Sequence, residues 1–512
     1  MEAAAWSQTP RLLALLIGAF LAYRIGLAVY RVYFHPLSCF PGPKLWAASD
    51  LPVVWEDKIE GTFTKRMLKV HEEYGPIVRI GPNRIAVDGT IIWPQVFARR
   101  ANQLEFTKVP ESYPAQEKYV GLLPTQSREN HRRQRRLLAH AFSDAAMYEQ
   151  ERYIKYYVDL LVKRLRERAV AGETLDLTQW YNFTTFDIIG ELAFADPFDA
   201  LESGKSHPWI SMISSSVRQA AAIQFLMHYP LLLPLMGFRV GLGDLMRLFR
   251  QSQQFIELSK EKTRKRLAMQ DQSRRDIMAY IIDHNTDGKR MTQDEMFENS
   301  RALIGAGSET TATALSGMSF HLCQSPEAYQ RLTDEIRTAF TCEEDITMRS
   351  TAHLPYLHAC LEEALRMYPP ASETPPRVSP GDYIHHDGNE YWIPKGTRLS
   401  NYQWATHHSP NNFADPEKYA PERWLPASHP LYNSRYAHDK KAVFRPFAAG
   451  PRDCIGKNLA YSEMRLVIAR LLWNFDLELA EGQKDWVDSQ LVFGLYQKGP
   501  LMARVHIRSI ET

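Results

Sequence analysis

Near its C-terminus the chain reads FAAGPRDCIG, Phe447 to Gly456, followed at once by KNLAYSEMRLVIARLLWNF, whose apolar residues recur at helical spacing. This places Cys454 just ahead of a helix N-terminus, between two glycines and two residues after an arginine. The end of a helix favours negative charge, so the sulfur is positioned for its anionic form, as a nucleophile or a metal ligand. Gly450 and Gly456 allow backbone conformations and close approaches that a Cβ would block. Arg452 supplies a fixed charge whose fork matches carboxylates. Phe447 is placed to pack over the sulfur and exclude water. A lone cysteine is more often a small buried hydrophobe. Five fixed positions, Phe-x-x-Gly-x-Arg-x-Cys-x-Gly, demand far more.

The rest of the chain bounds the setting. Cys39, Cys323, Cys342, Cys360 and Cys454 are odd in number, far apart and without a CxxC, which speaks against a disulfide framework and for a reducing compartment. A net charge of +2 over 512 residues gives no case for nucleic-acid binding. Leu12 to Tyr30 is apolar with a single charge, Arg24, and as a helix would cover roughly 28 Å, close to the hydrocarbon thickness of a bilayer. Leu12–Tyr23 alone resembles the apolar part of a signal peptide, but no small-x-small cleavage site follows it. Arg11 is the only basic residue before the span, and Arg24, Arg31 and Lys44 lie within or after it, which predicts a cytosolic body. Phe40–Pro43, FPGP, reads as a stiff turn. The expected organisation is a membrane anchor over 1–35, a proline-rich hinge over 36–45 and one catalytic domain over 46–512.

Along the body, Gly75–Val87 reads as two short strands around a Gly-Pro-Asn turn. From about Gln116 to Val170 the pattern is helical and charged. Phe183–Phe194 reads as a buried helix, a context in which the sequon at Asn182 is inert. Ile223–Phe238 is apolar but broken by Pro230 and Pro234, so it is either core or a membrane-dipping loop near a substrate entrance. Two long helices follow, then a strand-rich stretch with a turn at Asp387-Gly388. Strands and helices do not alternate regularly, so the expected fold is mainly α with small β-sheets.

The cysteine segment resembles the haem-ligand loop of the cytochrome P450 family, the haem-thiolate monooxygenases. The resemblance implies the P450 fold behind an N-terminal transmembrane helix, with haem b (iron protoporphyrin IX) and Cys454 as its axial thiolate. It puts Arg452 on a propionate. Three further stretches match the family in its own order. AGSETT, Ala306–Thr311, lies in a helix apolar or small all round; Ala306 and Gly307 would leave room for a flat ligand or dioxygen. The resemblance gives Thr310 a hydrogen bond to iron-bound oxygen and Glu309 a part in proton relay. Glu363 and Arg366, three apart on one helix face, resemble the family's Glu-x-x-Arg pair, completed by Arg423 in PERW, with a structural role. In HRRQRR the family's Trp-x-x-x-Arg becomes His131 and Arg135, both facing a propionate by resemblance, with Arg377 as a third candidate. Arg132, Arg133 and Arg136, with Lys457, would form a cationic docking face.

The implied protein is a single-pass enzyme of the endoplasmic reticulum membrane. It would receive NADPH-derived electrons from a separate flavoprotein, the NADPH-cytochrome reductase, because the chain has no nucleotide or flavin signature. One atom of dioxygen would enter a lipophilic small molecule. The N-terminus resembles fungal members that tailor terpenoids, polyketides or alkaloids. Pocket walls are expected at Val120–Gln126, near Ile304, at Ala371–Pro375 and at Phe493–Tyr496. The alternatives are a haem-thiolate isomerase or dehydratase that consumes no dioxygen, and a non-catalytic haem sensor. The acid–alcohol pair Glu309-Thr310 speaks against both.

Overall fold

The computed structural model describes residues 2–100, 103–109, 121–232, 242–269, 274–285 and 290–508. Helix α1 (Glu2–Val29) continues through a wider helical turn at Tyr30–Phe34. Leu12–Phe34 is long and apolar enough to cross a membrane, with none of it buried against the body. The segment beyond it is stitched into the body. Leu37 and Phe40 pack in a core with Ile77, Ile85 and Leu399. A Cβ on Gly42 would lie 2.3 Å from the Arg79 carbonyl oxygen. The fully buried Arg79 donates its guanidinium to the carbonyls of Arg31 (2.7 Å), Pro82 (2.9 Å) and Gly81 (3.2 Å). The stiffness expected of FPGP thus comes from its anchorage as much as from its prolines.

Strands β1 (Ile77–Gly81) and β2 (Arg84–Val87) pair as the Gly-Pro-Asn turn predicts. They belong to a five-stranded sheet with β3 (Thr107–Lys108), β5 (Arg377–Val378) and β8 (Arg398–Ser400), in the order β1-β2-β8-β5-β3. β4 (Thr174–Asp176), β12 (Met502–Ile507) and β9 (Phe475–Leu479) form a second sheet. β6 (Asp382–His386) and β7 (Asn389–Ile393) form a hairpin whose turn residues Asp387 and Gly388 both have positive φ, +49° and +76°, as a tight two-residue turn requires. β10 (Leu491–Val492) and β11 (Tyr496–Gln497) form another.

The helices carry the core. The helical stretch expected from Gln116 is instead two helices: Ser127 caps α2 (Arg128–Ala139) and Ser143 caps α3 (Asp144–Val170). Residues 121–127 are not helical, because Pro124 and the Ser127 cap start the helix late; 116–120 lie outside the described residues. α4 (Leu177–Phe194) is buried almost throughout, as its all-round apolarity requires. Asn182 is buried in it, which closes its sequon to modification. α5 (Pro208–His228) buries Phe225 and Leu226 against Val54 and Trp55 but leaves Met227 79% exposed. The apolar stretch is thus core on one face and open on the other; 233–238 lie outside the described residues. α6 (Gln293–Cys323) runs along α4 and also packs on α7 (Pro355–Met367) and α8 (Lys457–Asn474).

Candidate active site

Three elements bring the site together: the loop before α8, the middle of α6, and the edge where β3 and β5 meet α2. In the loop, Gly450 has φ +79°, and a Cβ there would stand 1.8 Å from the Phe97 carbonyl oxygen. No side chain relieves a clash with backbone, so Gly450→Ala is expected to displace the loop and lower haem retention severalfold, measured by haem content after gel filtration. The Cys454 N–H donates to the Phe447 carbonyl at 2.9 Å and closes the turn. The Phe447 ring lies 5.0 Å from that of Tyr461 on α8.

Two expectations for this loop change. Gly456 has ordinary helical-side φ (−85°), and a Cβ on it would meet only Cys454 Sγ and Phe142 at 4.0 Å. Among the described residues nothing requires glycine there; the space it keeps adjoins the sulfur. The position ahead of α8 does not make the free thiol acidic either. Burial raises the Cys454 thiol, Asp453 adds to this, and the Gly456 N–H, Arg135 and Lys457 fail to offset it. Yet Cys454 keeps an accessible face. An accessible sulfur held on a closed turn and costly to ionise alone suits a ligand to a cation bound against it.

On α6 the residues Ala302, Gly305, Ala306 and Thr310 are partly or fully open, whereas Ile304, Ser308, Glu309 and Thr311 are buried. The open positions form one stripe at helical spacing. Gly307 is not part of it. A Cβ on Gly307 would press on Ile189 of α4 at 3.1 Å, so its smallness serves helix packing rather than the ligand room expected of it; Gly305 has open space instead. The Thr310 hydroxyl donates to the Ala306 carbonyl at 2.6 Å, one turn back. Glu309 is held by a lysine that sequence reasoning missed: Lys498 Nζ lies 2.7 Å from Glu309 Oε1.

The third wall is cationic. Arg377 of β5 and Lys108 of β3 are register partners, and Arg377 lies over the Phe97 ring at 4.6 Å. His131 is buried on α2 and pushed down to about 3, first by burial and then by Arg452, Lys108, Arg135 and Arg377, so it is a neutral imidazole here. Lys108 is pulled down to about 7 by burial and then by Arg377 and Arg452. Arg452 bonds Glu105 (2.5 Å) and the carbonyls of Thr125 (2.7 Å) and Gln126 (2.9 Å). Arg135 donates to the Asp453 carbonyl (2.6 Å) and carboxylate (2.5 Å). Among the described residues this edge gathers Lys108, Arg135, Arg377 and Arg452 about Glu105 and Asp453, a concentration of basic groups that suits an anionic ligand. Lys108 has no motif of its own; its only sequence signal is an isolated basic residue in a short strand.

Of the expected docking face, Arg133 is withdrawn, because it pairs with Glu295 and donates to the Arg290 carbonyl at 2.7 Å. Arg132, Arg136 and Lys457 are exposed. Glu363, Arg366 and Arg423 meet as the motif spacing implies, all fully buried. Arg366 donates to both Glu363 oxygens (2.9 and 2.8 Å) and Arg423 to Oε1 (3.0 Å). The Ala420 N–H and the Trp424 indole add bonds of 2.9 Å each. Among the expected pocket walls, Phe493 packs on Gly61 and Tyr496 stacks on Tyr368 at 4.2 Å. Glu373 is raised to about 7 by burial and Asp57, with Lys58 and Arg84 opposing. Val120 lies outside the described residues.

Among the described residues, no group of three or more His, Cys, Asp or Glu side chains could hold a metal ion. A single sulfur therefore calls for a metal that arrives with its other donors. A flat macrocycle carrying two carboxylates, with an apolar helix stripe above and a cationic edge beside it, answers the sulfur, the stripe and the charge together: the fold and site define a haem-thiolate protein.

Comparison with known proteins agrees. The family described as Cytochrome P450 matches residues 41–502. The chain is 38% identical over 503 residues, 96% of each chain, to the cytochrome P450 monooxygenase efuB of Hormonema carpetanum. It is 38% identical to the trichothecene C-4 hydroxylase of Trichoderma arundinaceum, covering 94% of each chain. With the averantin hydroxylase of Dothistroma septosporum it shares 36% identity, covering 97% of this chain and 91% of the other. The chain belongs to the cytochrome P450 family, whose members bind haem through a cysteine thiolate and act as monooxygenases.

Proposed function

We propose that this protein hydroxylates a lipophilic small molecule of fungal secondary metabolism, with Cys454 as the haem ligand, from a position anchored in the endoplasmic reticulum membrane. The observation that carries the reading is the exposed Cys454 on the fixed turn before α8, beside a wall of Lys108, His131, Arg135, Arg377 and Arg452. When bound, the haem supplies the reduction and cleavage of dioxygen and the insertion of one atom into substrate.

The chain's own residues do the rest. Cys454 donates its thiolate, and the turn closed by the Phe447 carbonyl fixes where that sulfur points. The cationic wall holds the propionates, with His131 offering an N–H and Lys108 joining the arginines. The Glu363 network keeps the loop in place from behind. The open stripe of α6 admits the substrate's apolar surface. Thr310 presents a hydroxyl at its edge, and Glu309 exchanges protons with it. Residues 1–35 are the anchor, 36–45 the link and 46–512 the catalytic domain, which lies on the cytosolic side. Exposed Arg132, Arg136 and Lys457 form the surface for an acidic flavoprotein reductase.

The support for a secondary-metabolite substrate is the full-length likeness to relatives named for trichothecene and averantin hydroxylation. The test is a screen of lipophilic terpenoids and polyketides for haem spectral shifts, followed by turnover with NADPH and reductase. Product formed without NADPH would replace this reading with an isomerase or dehydratase. Thr310→Ala is expected to keep the reduced carbon-monoxide band while product per NADPH falls roughly tenfold or more, with hydrogen peroxide rising in its place.

A further inference from the structure

Lys498 follows β11 in the stretch QKGP and belongs to no motif. Its Nζ lies 2.7 Å from Glu309 Oε1 and donates to Thr313 Oγ1 at 2.8 Å, joining two α6 side chains one turn apart. The lysine and glutamate side chains are 3% and 7% exposed. Desolvating two charges is costly, and an apolar pair of similar volume would serve packing at least as well. Stability alone is therefore a poor reason for this pair, in the one helix turn that carries Thr310.

The lysine is also held from behind. The Gly499 carbonyl accepts the Trp486 indole N–H at 3.1 Å, and the Leu501 N–H donates to Asp176 Oδ1 at 2.9 Å. Just before it, Tyr496 is stacked on Tyr368. The ammonium thus sits on a strut fixed on both sides. The ammonium meets the Glu309 carboxylate at one oxygen, Oε1, while the Thr313 hydroxyl, which accepts from Lys498, donates to the Glu309 carbonyl at 2.7 Å.

We propose that Lys498 is a positioning residue: by pairing with Glu309 Oε1 it fixes how that carboxylate sits in α6 and so orients the acid for proton exchange with Thr310. The proposal rests on the reading of Glu309 and Thr310 given above. Its position in the loop between β11 and β12 means that the acid of the relay is oriented from outside its own helix.

The test compares full-length wild type with Lys498→Met, Lys498→Arg, Glu309→Gln and the Lys498→Met/Glu309→Gln double variant. In infrared difference spectra, Lys498→Met is expected to show a protonated-carboxyl C=O stretch that is absent from wild type, from Lys498→Arg and from the double variant. With NADPH and a purified flavoprotein reductase, and no added substrate, the share of NADPH recovered as hydrogen peroxide is expected to rise twofold or more in Lys498→Met. Lys498→Arg should bring it back to within twofold of wild type. Should Lys498→Met fail to fold, Lys498→Gln, which keeps a donor, carries the same expectations. No carboxyl band with unchanged peroxide overturns the role of Lys498. A band with unchanged peroxide in both Lys498→Met and Glu309→Gln overturns instead the reading of Glu309 as a relay, and the proposal with it.

Discussion

Cys454→Ala is expected to give a folded protein with no reduced carbon-monoxide band characteristic of thiolate-bound haem. The loss should be complete, because Cys454 is the one sulfur in the Phe447–Gly456 loop. Cys360 is fully buried, and burial holds its thiol well above the usual range. Burial pushes Cys323 up to about 12. The fold should survive, because Cys454 is exposed and the buried Glu363 network does not include it. Circular dichroism checks the fold, and the carbon-monoxide difference spectrum checks the ligand. A surviving band at full intensity would mean that another group binds the iron.

The second large effect concerns stability. Removing one partner from the Glu363–Arg366–Arg423 network leaves a charge buried without compensation, at a cost of about 3–5 kcal/mol. Arg423→Met should be the severe case, because Arg423 also pairs with Asp439, itself almost fully buried. Arg133→Met, which breaks a partly exposed pair with Glu295, should cost about 1 kcal/mol or less. Denaturant unfolding of the full chain in detergent separates the two.

The pH dependence has a definite sign. Burial alone would raise the Glu363 carboxyl, but Arg366 and then Arg423 bring it down to about 2. An unfolded glutamate titrates near 4.3, so the folded state binds the proton less readily. The network's contribution is present in full above about pH 4 and is lost as the pH falls towards 2. Acid unfolding of wild type should therefore steepen below pH 4, and Arg423→Met should shift that transition upward.

Much of this site is legible in the amino-acid order. Each motif is short, and each depends on local backbone: a glycine that must turn at 450, a helix N-terminus after 456, a glutamate and an arginine one turn apart at 363 and 366. What local pattern misjudges is the surroundings. Gly307 reads as room for a ligand and proves to be room for Ile189. Arg133 reads as free and is taken by Glu295. The helix position of Cys454 suggests an acidic thiol, and burial reverses it.

The amino-acid order alone set out a mainly helical body, the small sheets and the apolar N-terminal span, because periodicity and turn chemistry act over a few residues at a time; it singled out Cys454 through the likeness of its motif to a family. Only the tertiary structure decided that Lys108 stands beside Arg377 and that Lys498 grips Glu309 from a distant part of the chain. Which charges share a buried space is settled by how helices and strands pack, and desolvation then sets the state of every group enclosed there.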